Sequence, residues 1–214
     1  MSFKAMRTVS SALLMFFAAG CAGETETVVY GYNDPAPYSE QSAYVPPQAQ
    51  GDFRKLGEKV LLKAESLKFI SSYNEPARAP NVDHLMLVSP LKILHGWASS
   101  RFGIDKTPGR QVRFMIKDAS IVEEVIVVGG SMNKTFKNRY TGKLEVQLQF
   151  VDPEGHVLSE TSASVMRNVV LPRNATKEEH DNAWIILTFD MIKALSGRLN
   201  QDLATPAYDD FIAR

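Results

Sequence analysis

The stretch Lys143-Leu144-Glu145-Val146-Gln147-Leu148-Gln149-Phe150 alternates polar and apolar residues without a slip. Period two puts Leu144, Val146, Leu148 and Phe150 on one face of a strand and Lys143, Glu145, Gln147 and Gln149 on the other. One face is to be buried and the other wetted, as in an antiparallel sheet covered on one side. Asp152-Pro153-Glu154-Gly155 follows, with proline second and glycine last, as a type I turn prefers. Residues 156–171 then return as the partner strand of a hairpin. Upstream, Val112, Phe114 and Ile116 alternate with Arg113, Met115 and Lys117. That run continues through Ile121 to Val128, with a bulge expected near Asp118-Ala119, until Gly129-Gly130-Ser131 breaks it.

Two helices flank these three strands. Ser89-Pro90 offers a capping residue and a proline at the first helical position, where its missing N–H costs nothing. Leu91, Leu94, Trp97, Ala98 and Arg101 then share one side, Trp97 reads as a core anchor, and Gly103 is the expected left-handed stop. Thr176-Lys177-Glu178-Glu179 is a capping box, and the helix it opens runs to about Leu203. Ile185, Phe189, Ile192, Leu199 and Leu203 form one stripe; Trp184, Leu187, Met191 and Leu195 form an adjacent one. Together they are wider than one sheet contact needs, so the face is either fully buried or shared with a partner. Phe53, Leu56, Val60 and Ala64 have helical spacing, but residues 60–71 also alternate, and a first strand is assigned there. Residues 74–82, with Pro76 and Pro80, read as a loop.

The expected fold is α+β, in the order β-α-β-β-β-α, with two helices packed on one face of a four-stranded, mostly antiparallel sheet.

The N-terminal segment is of another kind. Lys4 and Arg7 precede an almost wholly apolar or small run at residues 8–19, and Ala18-Ala19-Gly20 lead into Cys21, the only cysteine. Charge, short apolar run and small residues make a secretory signal. About a dozen residues are too few for a spanning helix, which needs roughly 20. Small residues followed by cysteine resemble a bacterial lipobox, although Ala18 stands where leucine is usual. That resemblance implies cleavage before Cys21 and acylation of its thiol, which also removes the oddity of one unpaired thiol in an exported protein. The lipobox family carries at least two acyl chains, enough for stable attachment. Ala22 stands where inner-membrane-retained lipoproteins often carry Asp, which favours the periplasmic side of the outer membrane.

Residues 22–50 hold Pro35, Pro37, Pro46, Pro47, four tyrosines and many small polar side chains, too little apolar surface to offset chain entropy. The expected organisation is therefore a signal peptide at 1–20, a lipidated cysteine with a disordered tether at 21–50, and a single α+β domain at 51–214.

The charge balance is even, 24 basic against 24 acidic residues, and no basic patch points to nucleic acid. His84, His95, His156 and His180 form no H-E-x-x-H or comparable spacing. Glu178, Glu179, His180 and Asp181 suit a helix N-terminus better than a metal. Asp118, Glu123 and Glu124 would have to act as paired carboxylates from alternating strand faces. No G-x-S-x-G elbow and no glycine-rich phosphate loop is present. No catalytic residue, metal or cofactor is expected.

The helix ending in Ser100-Arg101-Phe102-Gly103, the hairpin at 144–167 with Ala163-Ser164-Val165-Met166-Arg167, the long last helix and Cys21 together resemble the bacterial envelope-assembly lipoproteins. The two patterns are the lipopolysaccharide-assembly lipoprotein of the outer membrane and the auxiliary lipoprotein of ABC-type lipid transporters. The resemblance covers most of residues 85–203; the long tether and residues 51–82 depart from it, so no ligand-binding residue is transferred. It implies a non-enzymatic accessory protein, held on the membrane by its lipid anchor, that meets an envelope membrane protein or a lipid. Arg101 and Arg167 are the candidates to meet an anionic head group, because guanidinium pairs bidentately with phosphate. Trp184, on the wide helix face, is the candidate partner contact. Two alternatives remain: a structural envelope lipoprotein bound to peptidoglycan or to itself, and a cell-envelope hydrolase.

Overall fold

The computed structural model describes residues 29–30, 53–129 and 133–213. In chain order the elements are β1 (Val29–Tyr30), β2 (Val60–Leu62), β3 (Ser66–Ser71), α1 (Pro90–Arg101), β4 (Phe102–Ile104), β5 (Gln111–Val128), β6 (Thr135–Val151), β7 (Val157–Pro172), α2 (Lys177–Leu203) and β8 (Ile212–Ala213). The signal peptide, Cys21 and, apart from the pair Val29–Tyr30, the tether lie outside the described residues.

The main sheet has the order β1-β7-β6-β5-β3. Its centre is the expected antiparallel trio, with Leu144 opposite Ala119 on one side and Val165 on the other. The bulge falls between Ile116 and Asp118, beside its expected place. Both edges are parallel: β3 pairs with β5 from Ser66↔Gln111 to Ser71↔Ile116, and β1 pairs with β7 at Val29↔Asn168. The sheet is thus mixed rather than mostly antiparallel. The cause is topological: β3 and β5 are joined through a helix, and a helical crossover delivers the next strand in the same direction.

Strand alternation sorts the two faces. Val112, Phe114, Ile116, Leu144, Val146, Leu148 and Phe150 are fully buried, while Lys143, Glu145, Gln147 and Gln149 stay partly wet. On that wet face Lys143 Nζ bridges Asp118 at 3.2 Å and Glu145 at 2.7 Å, and Gln147 and Gln149 both donate to Glu160. Both helices lie on the other face, α1 against β5 and α2 against β6 and β7. At Gly142 the fit is tight: a Cβ there would sit 2.5 Å from Met191 Cε, so the absent side chain lets α2 approach.

Several local expectations change. The expected strand at 60–71 is two strands in two sheets. β2 joins a second, three-stranded sheet of order β4-β2-β8, and only β3 enters the main one. Gly103 does not close α1 with a left-handed turn; it lies in β4 opposite Leu61. Ser89 sits at the N-cap of α1, but its hydroxyl caps nothing and is buried without a partner among the described residues. At α2 the capping box is complete: Glu179 N–H donates to Thr176 Oγ1, and Thr176 N–H donates to Glu179 Oε2 at 2.6 Å. Trp97 is the anchor its spacing suggested, with no exposed surface and its Nε1–H donated to the Leu56 carbonyl at 2.8 Å.

Candidate functional site at the hairpin end

The three residues singled out in the sequence are not one constellation. Arg101 is only 2% exposed. Its Nη1 donates to the Glu58 carbonyl at 2.8 Å, its Nη2 donates to Asn200 Oδ1, and its carbon Cζ lies 5.6 Å from the rings of both Trp97 and Phe102. Burial lowers its pKa from the ordinary guanidinium value, with Glu58 opposing the shift. Gly57, at φ 86°, leaves the space this guanidinium occupies. Arg101 therefore ties the chain before β2 to both helices, and an inward guanidinium presents nothing to a head group outside. Arg167 is buried on the helix-covered face opposite Gly142, with Nη1 on the Met166 carbonyl at 3.0 Å. Trp184 lies 16 positions before Asn200 on α2, about 24 Å along the axis from the Arg101 contact at 1.5 Å per residue.

Trp184 does organise a cluster, at the start of α2. It is 5% exposed, stacks on His180 with 9° between the rings, and meets Tyr140 edge-on at 5.5 Å. Tyr140 O–H donates to Glu123 Oε1 at 2.7 Å and lies 3.2 Å from His180 Nε2. Asn138 donates to the same Glu123 oxygen at 2.7 Å. Burial, then the Glu123 carboxylate, push the Tyr140 phenol well above its usual range, so it stays protonated and acts as a donor. Trp184 Nε1, Asn138 Oδ1, Asp181 Oδ1 and Asn182 Oδ1 are buried without a hydrogen-bond partner among the described residues.

This polar layer marks a boundary. Below it the sheet face is covered by the helices; above it no other described residue covers the β5–β6 hairpin, where Val125, Val127, Val128 and Phe136 are 40–54% exposed. Val127 stands opposite Phe136 and Val125 opposite Asn138, so these side chains prolong the core-facing side of the sheet. A second apolar group lies at the same end. Pro80 O accepts from Glu123 N–H, and Val82 N–H donates to Ile121 O, which lays residues 80–82 along β5. Buried Asp83 holds that segment by accepting from Tyr73 O–H at 2.6 Å. Just after it Leu85 and Leu87 project, Leu87 at 88% exposure.

The other charged groups are used locally. Glu123 and Glu124 do alternate faces: Glu123 meets Tyr140, while Glu124 bridges Arg139 at 2.5 Å on the wet side. Glu179 serves the helix cap and Asp181 pairs with Lys177 at 2.5 Å. Asp152, Glu154 and His156 bring ligating atoms within 4.8 Å at the exposed β6–β7 turn, and Asp152 already accepts from His156 N–H. Among the described residues no helix is long and apolar enough to cross a membrane.

Neither a family model nor a curated protein matches this chain, so the resemblance to the two lipoprotein families has no family model behind it. Among solved structures, the chain is similar to a minor lipoprotein from Acinetobacter baumannii, with a TM-score of 0.33 and 13% identity over 72% of this chain and 98% of that one. It is also similar to a neuraminyllactose-binding hemagglutinin homolog from Helicobacter pylori, with a TM-score of 0.34 and 11% identity over 71% of this chain and 92% of that one. At TM-scores this low neither neighbour assigns a role.

Proposed function

We propose that this chain is a non-catalytic, lipid-anchored accessory protein of the bacterial envelope, held on the periplasmic side of the outer membrane and engaging an envelope membrane protein or a lipid. The observation that carries it is Cys21, the only cysteine, placed directly after a basic start, a short apolar run and Ala18-Ala19-Gly20. Ala22 supports outer-membrane sorting. The acid–base side chains that come together, Glu123, Tyr140 and His180, are bonded to one another, with the phenol held neutral. Such a cluster braces a sheet against a helix rather than presenting a base to a substrate.

Mass spectrometry of the N-terminal fragment from membranes is the test. The expected result is a fragment starting at Cys21 with the mass of its acyl chains, together with a Cys21→Ala variant that folds but fails to complement a deletion. A bare or uncleaved start, or full complementation by the variant, overturns the proposal.

A further inference from the structure

The outer edge of β7 changes character along its length. Which backbone groups point outward follows from the far side of the sheet. The Ile121 carbonyl and the Glu123 N–H turn to Val82 and Pro80, away from β6. Gly142 and Tyr140, opposite them, therefore bond toward β7, and their partners Arg167 and Val169 bond toward β6. Register holds without a shift back to Ser159. Glu160, Ser162, Ser164, Met166 and Asn168 thus all turn their N–H and C=O outward.

At Asn168 that outward side takes a strand, for β1 pairs there in parallel, Val29↔Asn168 and Tyr30↔Val169. Lower down it takes side chains. Tyr208 O–H donates to the Glu160 carbonyl, Arg198 Nη1 to the Ser164 carbonyl, and Arg167 Nη1 to the Met166 carbonyl at 3.0 Å. Three elements supply them: the short turn Pro206–Tyr208, the last turns of α2, and β7 itself. Thr161 Oγ1 donates to Asp202 at 2.8 Å and holds the end of α2 against the same stretch. A strand added here would bond every second residue of β7. Between Glu160 and Met166 no two successive outward carbonyls are left to it.

Such cover matters because a bare edge is a template for another chain, and charged side chains are the common defence. Thr161-Ser162-Ala163-Ser164-Val165-Met166 has no charge and no proline. It is also self-complementary. In an antiparallel pair of two β7 strands about a two-fold axis at Ser164, Ser162 would face Met166 of the second copy and Ser164 its own counterpart, with no like charges opposed.

We infer that Tyr208, Arg198 and Arg167 close β7 against edge-to-edge pairing with a second copy of this chain across residues 160–166, and confine strand addition to the stretch from Asn168 onward. Acylation of Cys21 has no part in this, although confinement to a membrane would raise the encounter rate that the three side chains counter.

The test is the oligomeric state of the full chain, purified in detergent, by sedimentation equilibrium in density-matched solvent. The native chain should be monomeric. Arg198→Ala with Tyr208→Phe removes two of the three donors, and the mass should rise to that of a dimer or larger. Amide exchange at Ser162, Ser164 and Met166 should slow at the same time, because those N–H groups gain partners. Adding Ser164→Lys to the double variant should restore the monomer by placing a charge on the edge. Arg198→Lys alone, which keeps a cationic donor, should stay monomeric. If the double variant lacks the near-ultraviolet circular dichroism of the native fold, Arg198→Ala alone takes its place. A folded variant that remains monomeric overturns the inference. So does a dimer in which the three amides still exchange as fast as in the native chain, or one that Ser164→Lys leaves intact, since the contact would then lie elsewhere. A native chain already paired through these amides overturns it as well.

Discussion

From Gln111 to Ile121 the inner face of β5 carries Val112, Phe114, Ile116, Ala119 and Ile121, each no more than 1% exposed. From Glu123 to Val128 the same face of the same strand carries Val125 and Val127, which are about half exposed. Register is continuous across both stretches above the bulge, and β6 is the partner throughout. The two halves of one hairpin thus differ in what lies over them, not in how they pair. Helix α1 and the core cover the lower half; the Glu123–Asn138–Tyr140–His180 layer ends that cover; no other described residue covers the upper half. The teaching is that pairing and burial are separate properties of a strand, and that an apolar residue stabilises a fold only where something closes over it.

Two phenylalanines break that comparison most sharply. Phe114 has no exposed surface and packs on Phe69 at 5.7 Å and Phe102 at 5.5 Å. Phe114→Ala should cost about 3–5 kcal/mol through lost transfer and the cavity left behind. Phe136→Ala, at 51% exposure, should change stability by less than about 0.5 kcal/mol. Urea titration of both variants checks this. Equal losses would mean the tip is part of the cooperative core.

The boundary between the halves was only half legible. Strict alternation at 143–150 declared the covered face, and the capping box declared the start of α2, because both are short-range patterns. Trp184 stood out as a large aromatic on a wide apolar face. Its partners Tyr140 and Glu123 did not, since they lie 44 and 61 positions away and only register brings them together. The small sheet was illegible for a related reason: β2 and β4 have three residues and β8 has two, too few for a period to show. Residues 60–71 kept an alternating pattern across a change of sheet. At the crossing, Ala64 N–H turns to Asp105 Oδ1 and Glu65 N–H to the Arg110 carbonyl. The parallel β3–β5 pair, by contrast, could have been read from a helix lying between two strands. Arg101 misled because it ends a helix, where a cation suits the dipole and is commonly exposed. Its inward turn depends on Gly57 and Asn200, which are distant in sequence.

A milder change probes the boundary itself. Tyr140→Phe keeps the ring that meets Trp184 but deletes the donor to Glu123. Glu123 retains Asn138, so the loss should be about 1.5–3 kcal/mol, the range for a hydrogen bond to a charged acceptor. Hydrogen exchange should accelerate first in β5 and β6 above Ile121 and in the first turns of α2, with the lower hairpin unchanged. Uniform acceleration would show that the polar layer is not a local seam.

The smallest effect lies where the cover begins. Glu179 closes the capping box of α2, and the Thr176 N–H and hydroxyl that bond its carboxylate hold its pKa below the ordinary glutamate value. A carboxyl group whose folded pKa is depressed favours folding at neutral pH, and that contribution disappears as pH falls through the carboxylate range. Glu179→Gln keeps an oxygen acceptor for the Thr176 N–H but removes the charge. Its Tm should therefore fall slightly below that of the native chain at about pH 7, and the gap should close as pH falls through the depressed Glu179 pKa, once both side chains are neutral. Thermal unfolding by circular dichroism across that interval reads the result directly. A gap that persists in acid would place the effect in altered packing at the first turn, and the charge would then have no part in setting where α2 starts and the bare hairpin begins.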